Sequence, residues 1–455
     1  MNNRKYSFGV CLAVTLAASG AAAADAIPAG LTEIKTPTGA TLYAGQPNAN
    51  GFRIARPQSN FAAPGQYRTH MQVLIPPGGY NLNPKPAGQP ATNALGETPA
   101  SIACIYRLVP VASGCNPNVV TTNVTGGSRA IGIVDAYNYA TALSDLTTYS
   151  NFFGLPAPDL RVIYGTGNPA NGCVSGPVPP TVTTNSWDGE AALDIEMAHA
   201  LAPNATIYLV LANSPSNTDM AIALQVATAC VQAAGGGEIS MSFGSPEFAG
   251  ETAADIGFTA PNVAFFASAG DTPGVEYPSA SPNVFGVGGT TVVRDQNTGA
   301  FESEIAWIST GGGPSAYEPT PSYQSGLAAL LGGARGVPDL AAIADPNTGV
   351  WIYNTPTFNG WTIIGGTSAA APIVAGIVNR ASFFWGSSPA GLANIYNLAA
   401  QSRLSSYVTD VNSGVCGPKG AANGAGAGYD PAWIEATYKT SWDWCTGWGS
   451  PHGSH

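Results

Sequence analysis

The stretch Ile364-Gly365-Gly366-Thr367-Ser368-Ala369-Ala370-Ala371-Pro372-Ile373 joins a Gly-Gly turn to an Ala-rich segment that continues through Val374-Ala375-Gly376-Ile377-Val378. Glycines let backbone and ligand approach closely, and the following residues read as a helix. A serine at a helix N-terminus has an exposed hydroxyl and free neighbouring N–H groups, which suits a nucleophile. Such a serine needs a base to react, so the rest of the chain is read for one.

Outward from this turn, apolar segments alternate with helical ones. Ala130–Val134, Thr206–Leu211, Glu238–Phe243, Val263–Ala267 and Val284–Val287 read as buried strands. Ala140–Phe153, Glu190–Leu201, Thr218–Ala234 and Ser368–Arg380 read as helices. This alternation predicts an α/β fold in three layers, a mainly parallel central sheet with helices on both faces. Chemistry then gathers at the carboxyl ends of the strands. Residues 25–97, rich in Pro, Ala, Gly and Asn, read as an extended arm, a reduced N-terminal segment with one apolar run at Met71–Ile75.

The first residues read as a secretory signal peptide over residues 1–24, with Arg4 and Lys5 before an apolar run and small residues at Ala21–Ala24. That run is shorter than the ~20 residues a spanning helix needs. The expected product is therefore exported and extracellular, with the periplasm as the alternative compartment, and it has no membrane anchor. Only 9% of residues are charged and the net charge is −11, which argues against nucleic acid or an anionic membrane as partner. A monomer acting on proteins or peptides is expected. Of the seven cysteines, Cys11 falls within the signal. The other six pair most simply as Cys104 with Cys115, Cys173 with Cys230 and Cys416 with Cys445, although six cysteines allow ~15 connectivities. No C-x-x-C spacing points to zinc, so structural disulfides are expected.

Histidine is the usual base for a serine. The chain holds His70, His199, His452 and His455. None sits in a glycine-rich approach opening a helix, and each reads as structural or solvated. Carboxylates are the alternative. In Trp187-Asp188-Gly189-Glu190-Ala191-Ala192-Leu193-Asp194-Ile195-Glu196, the i, i+4 spacing puts Glu190 and Asp194 on one helix face. Buried together, two carboxyls share a proton, and a Glu braced by a protonated Asp can accept the serine's proton at a pH where imidazole is already charged. Asp135, at the end of a predicted strand, has no histidine to orient and is read as structural.

These motifs, taken together, resemble the sedolisin family, serine-carboxyl peptidases with a subtilisin-like fold. Gly366–Pro372 is similar to the family's nucleophile motif, Glu190-Ala191-Ala192-Leu193-Asp194 to its Glu-x-x-x-Asp helix, and Ser268-Ala269-Gly270-Asp271 to the segment carrying its oxyanion aspartate. Tyr277–Pro282, Gly286–Thr290 and Val337–Ala342 follow in family order. The resemblance implies Ser368 as nucleophile, Glu190 as base and then acid, Asp194 as its partner, and a neutral Asp271 donating to the oxyanion. It makes residues 98–455 the peptidase domain and residues 25–97 an extension or reduced prosegment, since the family usually carries a long one. Substrate is expected to dock as a strand beside Ser240–Gly244 and Gly311–Gly313.

The resemblance also implies one structural Ca2+, held by Asp410, the carbonyl of Val411, and a second carboxylate with preceding carbonyls. Asp443 is taken for the latter because Thr446-Gly447-Trp448-Gly449 follows it, with Asp430 as the alternative. The expected activity is a secreted, acid-acting endopeptidase. An inactive binding protein on the same fold and a tripeptidyl exopeptidase are the rival readings.

Overall fold

The computed structural model describes residues 27–79, 96–381, 384–416 and 442–453. The expected signal peptide, His455 and the alternative ligand Asp430 lie outside these residues. Among the described residues, eight strands form the central sheet. Its order runs Phe301–Ala306, Phe285–Arg294, Val263–Ser268, Gly237–Met241, Ala130–Ala136, Thr206–Ala212 and Asp159–Tyr164, with Leu340–Ile343 also paired to Phe285–Arg294. All these pairings are parallel except that of Phe285–Arg294 with Phe301–Ala306.

Side-chain alternation divides two strands between two cores. Ile131, Ile133, Ile207, Leu209 and Leu211 point to one face, where they pack with Leu193 and Met197 of helix Trp187–Leu201 and with Ile373 and Val374 of helix Thr367–Arg380. Val134, Tyr208, Val210 and Ala212 point to the other, against Met220, Ala223 and Val226 of helix Asn217–Ala233. A sheet buried on both faces explains the continuous apolar runs in its strands. The expected three-layer, subtilisin-like α/β architecture is the one observed. The helices lie within a few residues of their expected bounds.

Residues 27–79 differ from the expected extended arm. Thr32–Lys35, Thr41–Ala44, Arg53–Pro57 and Gln72–Ile75 form four strands of an antiparallel six-stranded sheet, completed by the hairpin Val350–Asn354 and Gly360–Gly365. Leu42, Ala44, Ala55, Met71, Val73 and Ile75 enter the main core. Few apolar residues suffice because the hairpin supplies the rest of the sheet. The three disulfides are Cys104–Cys115, Cys173–Cys230 and Cys416–Cys445.

Candidate active site

Strand Gly360–Gly365 runs into the turn at Gly366, whose φ is +98°. A Cβ there would stand 1.8 Å from the His70 carbonyl oxygen and 2.7 Å from Asp271 Oδ2, so only glycine fits. Helix Thr367–Arg380 then starts, with Ser368 in its first turn. Pro372 has no N–H and leaves the Ser368 carbonyl without its helical partner. Ser242 Oγ fills that role at 3.1 Å and lies 2.7 Å from Asp194 Oδ1. A hydroxyl has one proton, so Ser242 serves both contacts only when Asp194 is the donor in its own.

Every residue of helix Trp187–Leu201 is buried. Burial, then the charges of Asp194 and Asp135, push Glu190 well above the ordinary carboxyl range, while the Ser368 hydroxyl opposes the shift. Neither Glu190 oxygen makes a well-formed hydrogen bond. The Ser368 hydroxyl instead donates to the Ser242 carbonyl at 3.2 Å and accepts from the His70 N–H at 3.0 Å. Burial likewise raises Asp194, opposed by Ser242. These directions agree with a protonated Asp194 that donates to Ser242.

The structure corrects the reading of Asp135. It is fully buried with both carboxyl oxygens unpartnered, and burial together with the charge of Asp194 raises its pKa well above the ordinary range. It therefore belongs to the same carboxyl cluster. Its place at the carboxyl end of a parallel strand was the available sequence signal.

Asp271 approaches Ser368 from the other side. Its Oδ1 accepts from the Thr367 N–H at 2.7 Å and the Thr367 hydroxyl at 3.0 Å, while Oδ2 is buried and free of partners. Burial raises its pKa to about 6, against the opposing charge of His70 and the Thr367 hydrogen bonds. The structure thus brings Ser368, Glu190, Asp194 and Asp271 together. The site can offer a hydroxyl, a buried carboxyl to take its proton, and a second carboxyl able to donate.

Comparison with known proteins agrees with this arrangement. Residues 180–400 match the family model described as the subtilase family. Kumamolisin from Bacillus sp. (strain MN-32) is 35% identical over 306 residues, covering 60% of this chain and 51% of that protein. Sedolisin from Pseudomonas sp. (strain 101) is 37% identical over 191 residues, covering 40% of this chain and 29% of that protein. A solved structure of Pseudomonas sedolisin, a serine-carboxyl proteinase complexed with two molecules of pseudo-iodotyrostatin, superposes with a TM-score of 0.57 at 27% identity, covering 79% of this chain and 96% of that one. This chain belongs to the sedolisin family. It spans about half the length of the kumamolisin it matches.

A further feature of this sedolisin-family chain is the course of its own N-terminal segment across Ser368. Thr69 and Arg68 pair antiparallel with Phe243 and Gly244, part of the segment expected to receive substrate. The Ser368 N–H donates to the His70 carbonyl at 3.3 Å. Gln72 then pairs with Gly365, and Val73 with Ile364. The His70 ring is buried, with Nδ1 2.7 Å from Ser268 Oγ and Nε2 2.9 Å from Glu276 Oε2. Burial tends to raise Glu276, but Arg68 and His70 hold it well below the ordinary range. His70, read from sequence as structural or solvated, thus meets Ser368 through its main chain, while its ring is engaged elsewhere. His199 is buried against the Pro156 carbonyl. The His452 N–H donates to the Tyr407 carbonyl.

The expected second docking edge is not available as read. The Gly311 and Gly312 N–H groups already donate to the carbonyls of Gly270 and Gly274, at 2.8 and 2.7 Å.

Of the expected calcium ligands, Asp410, Val411 and Asp443 lie together. Thr446 Oγ1 is 2.7 Å from Asp443 Oδ2 and 3.4 Å from the Val411 carbonyl oxygen. Burial raises Asp443 to about 6, opposed by Thr446 and Cys445, and the charge of Asp410 adds to the rise. Two mutually repelling carboxylates beside a carbonyl suit a hard cation in chemistry. Among the described residues, no group of three or more His, Cys, Asp or Glu gathers to hold a metal, so carbonyls or water would have to complete the set. Among the described residues, no helix is long and apolar enough to cross a membrane.

Proposed function

We propose that this chain is a secreted, acid-acting serine-carboxyl endopeptidase. The carrying observation is the buried Ser368 hydroxyl facing Glu190, whose oxygens have no other partner, with the free Asp271 Oδ2 nearby. In this reading, ionised Glu190 takes the Ser368 proton as Oγ attacks a peptide carbonyl carbon. Asp194 stays protonated through Ser242 and spares Glu190 a second negative charge. The oxyanion forms between the Ser368 N–H and a protonated Asp271, and protonated Glu190 then gives its proton to the leaving amine. Water hydrolyses the ester by the same exchange in reverse.

Endo action is supported by the continuous path of residues 66–75 across Ser368. The chain extends upstream of His70 past Tyr67, whose N–H donates to the Pro215 carbonyl at 2.8 Å, and no wall stops it three residues short. The apolar, three-disulfide, sparsely charged chain suits export into an acidic medium. One Ca2+ would be held by Asp410, the Val411 carbonyl and Asp443, and would relieve the repulsion between the two carboxylates.

The test is casein cleavage as a function of pH for wild type, Ser368→Ala and Glu190→Gln. Wild type should be most active in acid. Ser368→Ala should lose ~10^3-fold or more of kcat, and Glu190→Gln a comparable amount, with circular dichroism unchanged. An optimum near neutrality, or activity surviving Ser368→Ala, would sink the mechanism. For the metal, chelator should lower the melting temperature and added Ca2+ should restore it; an unchanged melting curve removes calcium from the proposal.

A further inference from the structure

The segment around His70 has the attributes of a bound substrate. Its upstream strand pairs antiparallel with Phe243–Gly244. Its carbonyl accepts from the Ser368 N–H, the same donor that the proposed oxyanion requires. That carbonyl and Asp271 Oδ2 both crowd the missing Cβ of Gly366, so they occupy one corner of the site. The His70 side chain fills a slot closed by glycine. A Cβ on Gly244 would stand 2.7 Å from the His70 ring and 2.7 Å from Glu276 Oε2, and one on Gly270 would stand 2.9 Å from Glu276 Oε1. Three residues upstream, Tyr67 lines a cavity of about 450 Å³ with Met220, Leu224, Met241, Phe243 and Tyr277. A segment that merely crossed the surface would not fill a side-chain slot, hold its carbonyl on the nucleophile's own N–H and keep strand pairing on both sides.

We propose that the His70–Met71 peptide bond is a self-processing site, cut by Ser368 of the same molecule. This rests on the peptidase reading above. Ser368 Oγ forms an ester bond to the His70 carbonyl carbon as the bond to the Met71 nitrogen breaks. The serine proton passes through Glu190 to that nitrogen. Water then cleaves the ester, leaving a carboxylate at His70 and an intact Ser368 hydroxyl. The reacting groups are already held together, so the step escapes the entropy cost of bringing them into contact.

The two sides of the cut behave differently. Gln72–Ile75 stays in its sheet, paired to strand Gly360–Gly365 and to Arg53–Ala55. Residues upstream of His70 keep only the Arg68 and Thr69 pairing in the cleft. Cutting therefore frees the cleft while strand Arg53–Pro57 keeps the N-terminal fragment attached.

The experiment uses the full chain, purified and then brought to acid pH at two widely separated concentrations, with intact mass and N-terminal sequence followed in time. Wild type should gain a new N-terminus at Met71 with the same first-order rate at both concentrations, and the two fragments should co-elute under native conditions. Ser368→Ala should stay uncut at this bond, as should Met71→Pro, which keeps Ser368. Wild type that cleaves added casein yet keeps His70–Met71 intact overturns self-processing and leaves the peptidase reading standing. A rate proportional to concentration overturns the intramolecular step. Failure to cleave either casein or its own chain overturns both readings.

Discussion

Asp271 can donate a hydrogen bond only while it holds a proton, and burial keeps that proton on until about pH 6. On the proposed roles, wild-type kcat should fall as pH rises through about 6. Asp271→Asn keeps a donor that never ionises, so its kcat should drop by less than the ~10^2–10^3-fold of a lost oxyanion donor. The fall near pH 6 should also disappear from its profile. A pH–rate profile decides this; an unchanged alkaline limb would detach Asp271 from the oxyanion. At this scale, Ser368, Glu190, Asp194 and Asp271 were legible because each sits in a motif of fixed local spacing. His70 was not, because its part comes from main-chain atoms, which any residue type carries.

Between elements, the site depends on how closely two buried helices approach. Gly376 of helix Thr367–Arg380 faces helix Trp187–Leu201, and a Cβ there would stand 3.0 Å from Leu201 Cβ and 3.4 Å from the Ala198 carbonyl oxygen. Gly376→Val should force the helices apart, costing ~1–3 kcal/mol and displacing Ser368 from Glu190. Thermal melting should show the lower stability, and casein assays should show kcat falling more than KM rises. If melting drops while kcat holds, the interhelical spacing does not set the site. On the far face, Cys173–Cys230 ties a loop to helix Asn217–Ala233 across 57 residues. Cys173→Ser with Cys230→Ser should lose ~4 kcal/mol by loop-closure entropy, measured by denaturant unfolding. Helices and central strands were readable because burial on both faces leaves long apolar runs. The strands of residues 27–79 were not, since their partners lie about 300 residues away in the hairpin before Ser368, and short mixed segments gain strand character only from such pairing.

The whole molecule buries many carboxyl groups and few cations. Glu190, Asp194, Asp135 and Glu196 are raised well above the ordinary range, chiefly by burial, and Glu238 is raised to about 8 by burial against Asn379 and Arg129. Groups with raised folded pKa values contribute stability that is complete below the unfolded value of ~4 and is lost as pH rises through the folded one. Glu276 is held low by Arg68 and His70, so it contributes in the opposite direction and loses its contribution on acidification. The raised groups outnumber it, so the melting temperature should be highest near pH ~4 and fall toward pH ~8. A melting temperature that climbs over that range would contradict the burial of neutral carboxyls. By itself, the sequence determined the alternating α/β order, the serine turn, the Glu-x-x-x-Asp helix and the disulfide partners. Those signals are local, carried by periodicity and spacing. Only the tertiary structure decided that Asp135 joins the carboxyl cluster, that the glycine edge at Gly311–Gly312 is already bonded, and that residues 66–75 lie across Ser368. Each of these depends on contacts between segments far apart in sequence, and no local pattern of residues encodes such a contact.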